Sequence, residues 1–176
     1  MTAWDMAAVA EFDRGGEDIL VMERPPLAGI AAAVASARVH DYRGRVTRSD
    51  AGARAAEAMA ALGIECATLA DDVAVLARGF LIQFGVPEAS LRVEVVDKAT
   101  CPKFHCDSIR VRLVATCHGP ATEYVRADAP GEVRAAPSPS LVFLKGHKHP
   151  GHADAVHHRS PPVPPGERRL CVILDF

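Results

Sequence analysis

In the run Cys101-Pro-Lys-Phe-His-Cys-Asp-Ser-Ile-Arg-Val-Arg-Leu, an imidazole and a carboxylate, His105 and Asp107, stand two positions apart. In an extended chain, side chains two apart share a face. His105 and Asp107 are therefore expected on one side, together with Ile109, Val111 and Leu113. A carboxylate on an apolar face is costly unless paired, and a divalent cation is an effective partner. One further imidazole would complete a two-His, one-carboxylate set, which holds one face of a metal and leaves the other open, as suits iron(II). The plainer reading of the pair is a structural hydrogen bond at a strand start.

Other groups compete for attention. His147, His149, His152 and His157 lie among Gly146, Pro150 and Gly151, a composition that either binds zinc or nickel on a surface loop or is simply solvated. Arg110 and Arg112 share a face and suit an anion, although strand arginines are commonplace. Cys106 points away from its two neighbours and reads as a packing thiol. The five cysteines are an odd number with no C-x-x-C pair, which disfavours a disulfide framework and a zinc ribbon.

The elements that must position these groups change character along the chain. Residues 1–89 read as mostly helical. A short apolar strand at 18–22 precedes Pro25-Pro26 and an Ala-rich helix to about Ala37. The polar, Gly-broken stretch 39–48 reads as a loop. A second helix spans 50–62, capped by Ser49 or Asp50 and closed by Gly63. A third starts near Thr68 with Asp71 as capping-box partner and stops at Gly85-Val86-Pro87. From Leu91 the period becomes two, and strands are expected at 91–95, 109–116, 122–126, 140–144, 153–159 and 168–176. The Pro-, Ala- and Ser-rich stretch 127–140 reads as a loop. The expectation is one α+β domain over 1–176, with N-terminal helices packed on a C-terminal β-barrel at 90–176 that carries the metal site.

Composition limits the function classes. The chain is 49% hydrophobic and 24% charged, as a globular protein is, and its net charge of −2 gives no bulk attraction for nucleic acid. No apolar run reaches membrane-spanning length. Asp5 and Glu11 fall where a signal peptide needs basic and then apolar residues, so a cytoplasmic location is expected, with neither a nucleic-acid nor a membrane partner.

The order His105-x-Asp107, then His158 in Val-His-His-Arg-Ser-Pro-Pro, then an Arg opening the last strand, resembles the iron(II)/2-oxoglutarate-dependent dioxygenases over roughly residues 90–176. That resemblance implies a double-stranded β-helix of the jelly-roll or cupin kind. It also implies His105, Asp107 and His158 as ligands of Fe(II), and a late Arg that pairs with the distal carboxylate of 2-oxoglutarate. Lys-Phe-His-Cys-Asp, Cys-His-Gly-Pro-Ala-Thr-Glu-Tyr, Leu-Lys-Gly, His-Arg-Ser-Pro-Pro and the terminal Arg-Leu also resemble a bacterial domain-of-unknown-function family across more of the chain. Ala121 and Cys117 depart from that family's pattern, where a Gly and an aromatic are common, and the loop near Gly119 is the part affected. By the resemblance Arg169 holds the co-substrate, with Arg168 its rival, because both faces of the last strand are apolar. Thr122 and Tyr124 are placed to donate to the acid's other end. The substrate is then a small molecule or a protein side chain. The alternative from another class is a non-catalytic zinc-binding protein of metal handling.

Overall fold

The computed structural model describes residues 4–176. Its elements in chain order are α1 (Met6–Arg14), β1 (Ile19–Glu23), α2 (Ile30–Ser36), β2 (His40–Thr47), α3 (Ala51–Leu62), α4 (Ala67–Gln83), β3 (Glu88–Val96), β4 (Val111–His118), β5 (Glu123–Arg126), β6 (Ala129–Ala135), β7 (Ser140–Lys145), β8 (Val156–Arg159) and β9 (Arg169–Asp175). Six strands form a large antiparallel sheet in the order β1-β7-β4-β9-β3-β2, and β6-β5-β8 form a small one. Among the described residues no helix is long and apolar enough to cross a membrane.

Alternation sorts the large sheet into two buried faces. Leu91, Val93, Val95, Leu113, Ala115, Phe143, Leu170, Val172 and Leu174 join residues of all four helices in one apolar cluster. Aromatic rings close its centre: Trp4 meets Phe143 edge-on at 5.1 Å, and Phe80 meets Phe176 at 5.8 Å. Edge-to-face pairs of this kind contribute about 0.5–1.5 kcal/mol beyond their burial. The opposite face carries a smaller cluster of Val114, Ala121, Ala136, Val142, Leu144, Cys171 and Ile173. Beside it, the same face presents Arg92, Glu94, Arg112 and Arg169, which line a pocket with His105, Thr122 and His158.

Two stretches expected to be loops are strands. Residues 40–47 form β2, paired in register with β3 from His40 opposite Val95 to Thr47 opposite Glu88. Residues 129–135 form β6, paired with β5. Both lie at sheet edges, where polar and Pro-containing sequence is tolerated and blunts unwanted pairing. Since β1 and β2 belong to the large sheet, the first half of the chain contributes both edges of that sheet as well as helices.

The helix ends also differ in detail. Asp50 precedes α3, but its carboxylate accepts from the Thr47 amide rather than from the helix. The expected capping box at Thr68 does not form, for α4 starts at Ala67 and the Thr68 hydroxyl donates to Ala28 O.

Candidate metal centre

The segment between β3 and β4 crosses to the small sheet before returning. His105 makes a two-way backbone bridge with His158: its N–H donates to His158 O at 3.0 Å and its carbonyl oxygen accepts from His158 N at 2.9 Å. β8 in turn pairs His158 with Tyr124 of β5, so three side chains stand in a row across the small sheet. After Cys106 the backbone leaves strand geometry and turns. The alternation expected from 105 to 113 is therefore broken. Val111 and Leu113 face the helices, whereas Asp107 meets Arg112 on the other face. The expectation that all five residues share a face is corrected: a turn at 106–110 resets the phase.

The turn is held by the loop after β7. Gly146 N donates to Arg110 O, His147 N to Asp107 O at 2.9 Å and Lys148 N to Ile109 O. A side chain at Gly146 would put its Cβ 2.2 Å from Ile109 O and 2.6 Å from Asp107 O. Only glycine allows the two segments to approach this closely.

His105, Asp107 and His158 come together, with one donor atom from each lying within 4.8 Å of the others. His158 Nε2 is 3.1 Å from Asp107 Oδ2, and His105 Nε2 is 3.5 Å from Asp107 Oδ1. Metal bonds of about 2.1 Å at right angles put neighbouring donor atoms roughly 3 Å apart. The two histidine-to-carboxylate separations, 3.1 and 3.5 Å, are close to that spacing. His105 Nδ1 lies 2.8 Å from Lys103 O. A proton on Nδ1 donates to that carbonyl and leaves the Nε2 lone pair facing Asp107, as in many metal-binding histidines. Burial opposes ionisation of Asp107, but His158, Arg112 and His105 outweigh it and hold the carboxyl at about 2. Burial pushes the His158 imidazole below its ordinary value, against the pull of Asp107, which favours the neutral form that metals bind.

Asp107 Oδ2 is the atom that tests the fit of a metal here. It is buried and lacks an aligned hydrogen bond, although Arg112 Nη1 stands 2.6 Å away. Arg112 and, at 3.1 Å, His158 Nε2 approach this oxygen as charge contacts without hydrogen-bond alignment. A cation between the three groups would use that oxygen's lone pairs.

Charge pairing divides the pocket into two ends. Arg112 lies between two carboxylates, Asp107 at 2.6 Å and Asp175 at 2.7 Å, so this end carries one excess negative charge. At the other end Arg92 and Arg169 share the single carboxylate of Glu94, at 2.9 and 3.6 Å, which leaves one excess positive charge. Arg169 and Glu94 are both buried, where charges interact strongly. The first end suits a cation and the second a carboxylate.

Arg168 and Arg169 part company. Arg169 lines the pocket and donates to Pro120 O at 2.8 Å. Arg168 points the other way and donates to the carbonyls of Val34, Ala35 and Ala37 at the end of α2. It acts as a helix C-terminal cap, which corrects its standing as a rival for the pocket. Gly119 makes this strand start possible, since its φ is +79° and a Cβ there would fall 2.4 Å from Arg168 O. Ala121 packs into the smaller cluster and Cys117 into the larger, so both departures from the family pattern are accommodated. Thr122 lines the pocket; Tyr124 stands opposite His158 but outside the lining.

Sequence reasoning passed over Arg92 and Glu94 and gave Arg112 a different role. Arg92 and Glu94 alternate with apolar residues and read as a solvated face, yet that face is the inside of the two-sheet structure. The pairing of Arg112 with Asp107 and Asp175 also replaces its expected role, together with the exposed Arg110, as an anion holder.

Residues 4–175 match the model of a family described as protein of unknown function (DUF1826). No curated protein matches the chain. Among solved structures, JOX2 in complex with 2OG, Fe and JA gives a TM-score of 0.55 at 10% identity, over 97% of this chain and 70% of that one. A Pseudomonas putida prolyl-4-hydroxylase gives 0.49 at 16%, over 88% and 96%. AtDAO1 from Arabidopsis thaliana, a dioxygenase for auxin oxidation in complex with 2-oxoglutarate, gives 0.46 at 15% over 86% of this chain, which spans 65% of the length of AtDAO1. The likeness to JOX2 shows a shared fold, a mixed α/β arrangement around a large antiparallel sheet.

Proposed function

The chain belongs to the DUF1826 family, and from that premise and the site's geometry we propose that it is an iron(II)- and 2-oxoglutarate-dependent oxygenase. The observation that carries the reading is the division of charge in the pocket. A two-His, one-carboxylate set with an unspent buried oxygen stands at its anionic end, and a buried arginine with surplus positive charge at its cationic end. The complex of JOX2 with 2OG and Fe gives that cofactor set in a protein of the same fold.

His105, Asp107 and His158 would hold the iron, and Arg169 would hold the far carboxylate of 2-oxoglutarate. When bound, the pair supplies the activation of dioxygen that a side chain cannot. The chain does the rest. Lys103 O fixes the tautomer of His105. Arg112 keeps Asp107 ionised and oriented. Pro120 O and Glu94 hold the Arg169 guanidinium so that its remaining N–H groups face the acid. The Thr122 hydroxyl is a further donor in the lining, with Tyr124 beside His158. Val114 and Ile173 form an apolar wall that limits water.

The test is oxygen consumption by iron-loaded protein with 2-oxoglutarate, read together with succinate formation. Uptake that requires 2-oxoglutarate and disappears in Asp107→Ala is the expected result. No uptake under iron-loaded conditions would sink the enzyme assignment.

A further inference from the structure

Behind the first cluster lies a second. Cys106 sits between His105 and Asp107 in the chain, and its side chain leaves the opposite side of the segment, where it meets His147 and His152. We propose that Cys106, His147 and His152 form a second metal site, which takes a soft or borderline divalent ion of the zinc type.

The three donor groups converge closely enough to share one ion. One donor atom from each of the three lies within 4.8 Å of the others. Cys106 Sγ is 3.9 Å from His152 Nε2. Tetrahedral zinc, with bonds of about 2.3 Å to sulfur and about 2.05 Å to nitrogen, sets that separation near 3.5 Å. The His147 and His152 rings meet edge-on with centroids 5.0 Å apart.

The surroundings select the lone pair that His152 presents. Its Nδ1 is buried without a hydrogen-bond partner, 3.6 Å from Asp18 Oδ1. Asp18 is itself 1% exposed and accepts from the amides of Ala153 and Ala155. A modest tightening gives an Nδ1–H donor to Asp18 and leaves Nε2 free toward Cys106. Carboxylate, histidine and metal in series are a common way to orient a zinc ligand. Asp154, whose backbone φ of 54° is unusual for a residue with a side chain, places its Oδ1 3.9 Å from His152 Nε2. That oxygen is nearer to His157 Nε2, at 3.3 Å, so the fourth coordination place falls to solvent on the exposed side of His147.

Backbone hydrogen bonds hold the frame of this site. The amides of Gly146, His147 and Lys148 bond to carbonyls of the 107–110 turn, and His152 N donates to His149 O. His149 takes no part, because its ring faces Asp13 at 2.9 Å. Thiolate in the ligand set favours zinc over iron(II) here, while two imidazoles and a carboxylate suit iron in front. An ion at the rear would pin the short segment from which His105 and Asp107 project. The proposal stands on its own geometry and does not require turnover at the first site.

Cobalt(II), as a spectroscopic replacement for zinc in the full-length protein, tests it. Wild type should show a near-ultraviolet thiolate-to-cobalt charge-transfer band. That band should vanish in Cys106→Ser, weaken with at least a tenfold loss of affinity in His147→Ala, and persist in His158→Ala. His147 is exposed, so its variant should keep the wild-type circular dichroism and serve as the folding control. Absence of the band in wild type, its survival in Cys106→Ser, or its loss in His158→Ala with retention in His147→Ala would each overturn the proposal. Loss of iron-dependent activity with the band intact would count against the oxygenase reading alone.

Discussion

Asp107 holds a negative charge in a half-buried place because three neighbours favour it, and its Oδ2 still has no aligned hydrogen bond. Asp107→Asn keeps the shape and removes the charge. Iron affinity should fall by more than about a hundredfold, beyond the range for loss of an outer-sphere partner, and equilibrium dialysis with metal analysis measures it. The two adjacent arginines give a paired prediction. Arg169→Lys keeps the charge but loses the guanidinium fork, which weakens 2-oxoglutarate by about 1.5–3 kcal/mol, or roughly 10- to 150-fold in Kd. Arg168→Lys should leave that Kd within about twofold, because its partners are the α2 carbonyls. Titration calorimetry on iron-loaded protein separates the two. The sequence alone left these arginines unresolved: β9 is buried on both faces, so hydropathy carries no phase there.

At the scale of elements, the site depends on the turn at 106–110 and the loop after β7 lying almost in backbone contact. Gly146→Ala would force Cβ against Asp107 O and Ile109 O. It should destabilise the fold by about 1–3 kcal/mol as overpacking does, and lower iron affinity in the fraction that remains folded. Thermal melts with and without iron(II) check both, and an unchanged metal-induced rise in Tm would contradict the link. The helices and central strands were legible because one face of each is apolar at a regular period, as with Val73, Leu76 and Phe80 of α4. β2 and β6 were not, because an edge strand in a polar environment has no apolar signature; six of the seven β6 residues, Pro130–Ala135, are exposed. His105 and Asp107 could be picked out by their spacing, yet the reason for their shared location was misread. Strand alternation does not join them to Val111; a turn and a bridge to His158 do.

For the molecule as a whole, one sheet separates stability from chemistry. Its helix-covered face supplies the larger core, and its inner face carries paired charges beside a small apolar cluster. Phe143→Ala, on the helix side, should cost about 3–5 kcal/mol of stability and leave iron affinity of the folded protein unchanged; denaturant melts and metal titration at low temperature compare the two. This arrangement also explains what one strand's sequence conceals. Arg92 and Glu94 look solvated beside Val93 and Val95, and only the second sheet, far away in sequence, turns their side inward. The account rests most heavily on His105, Asp107 and His158 binding iron together with 2-oxoglutarate in the pocket of Arg169. Anaerobic titration of iron(II) and 2-oxoglutarate into the protein, followed by visible absorption, tests that directly. A charge-transfer band that needs both additions and is absent in Asp107→Ala is the predicted result. No band in wild type, or a band of equal strength in Asp107→Ala, would contradict it.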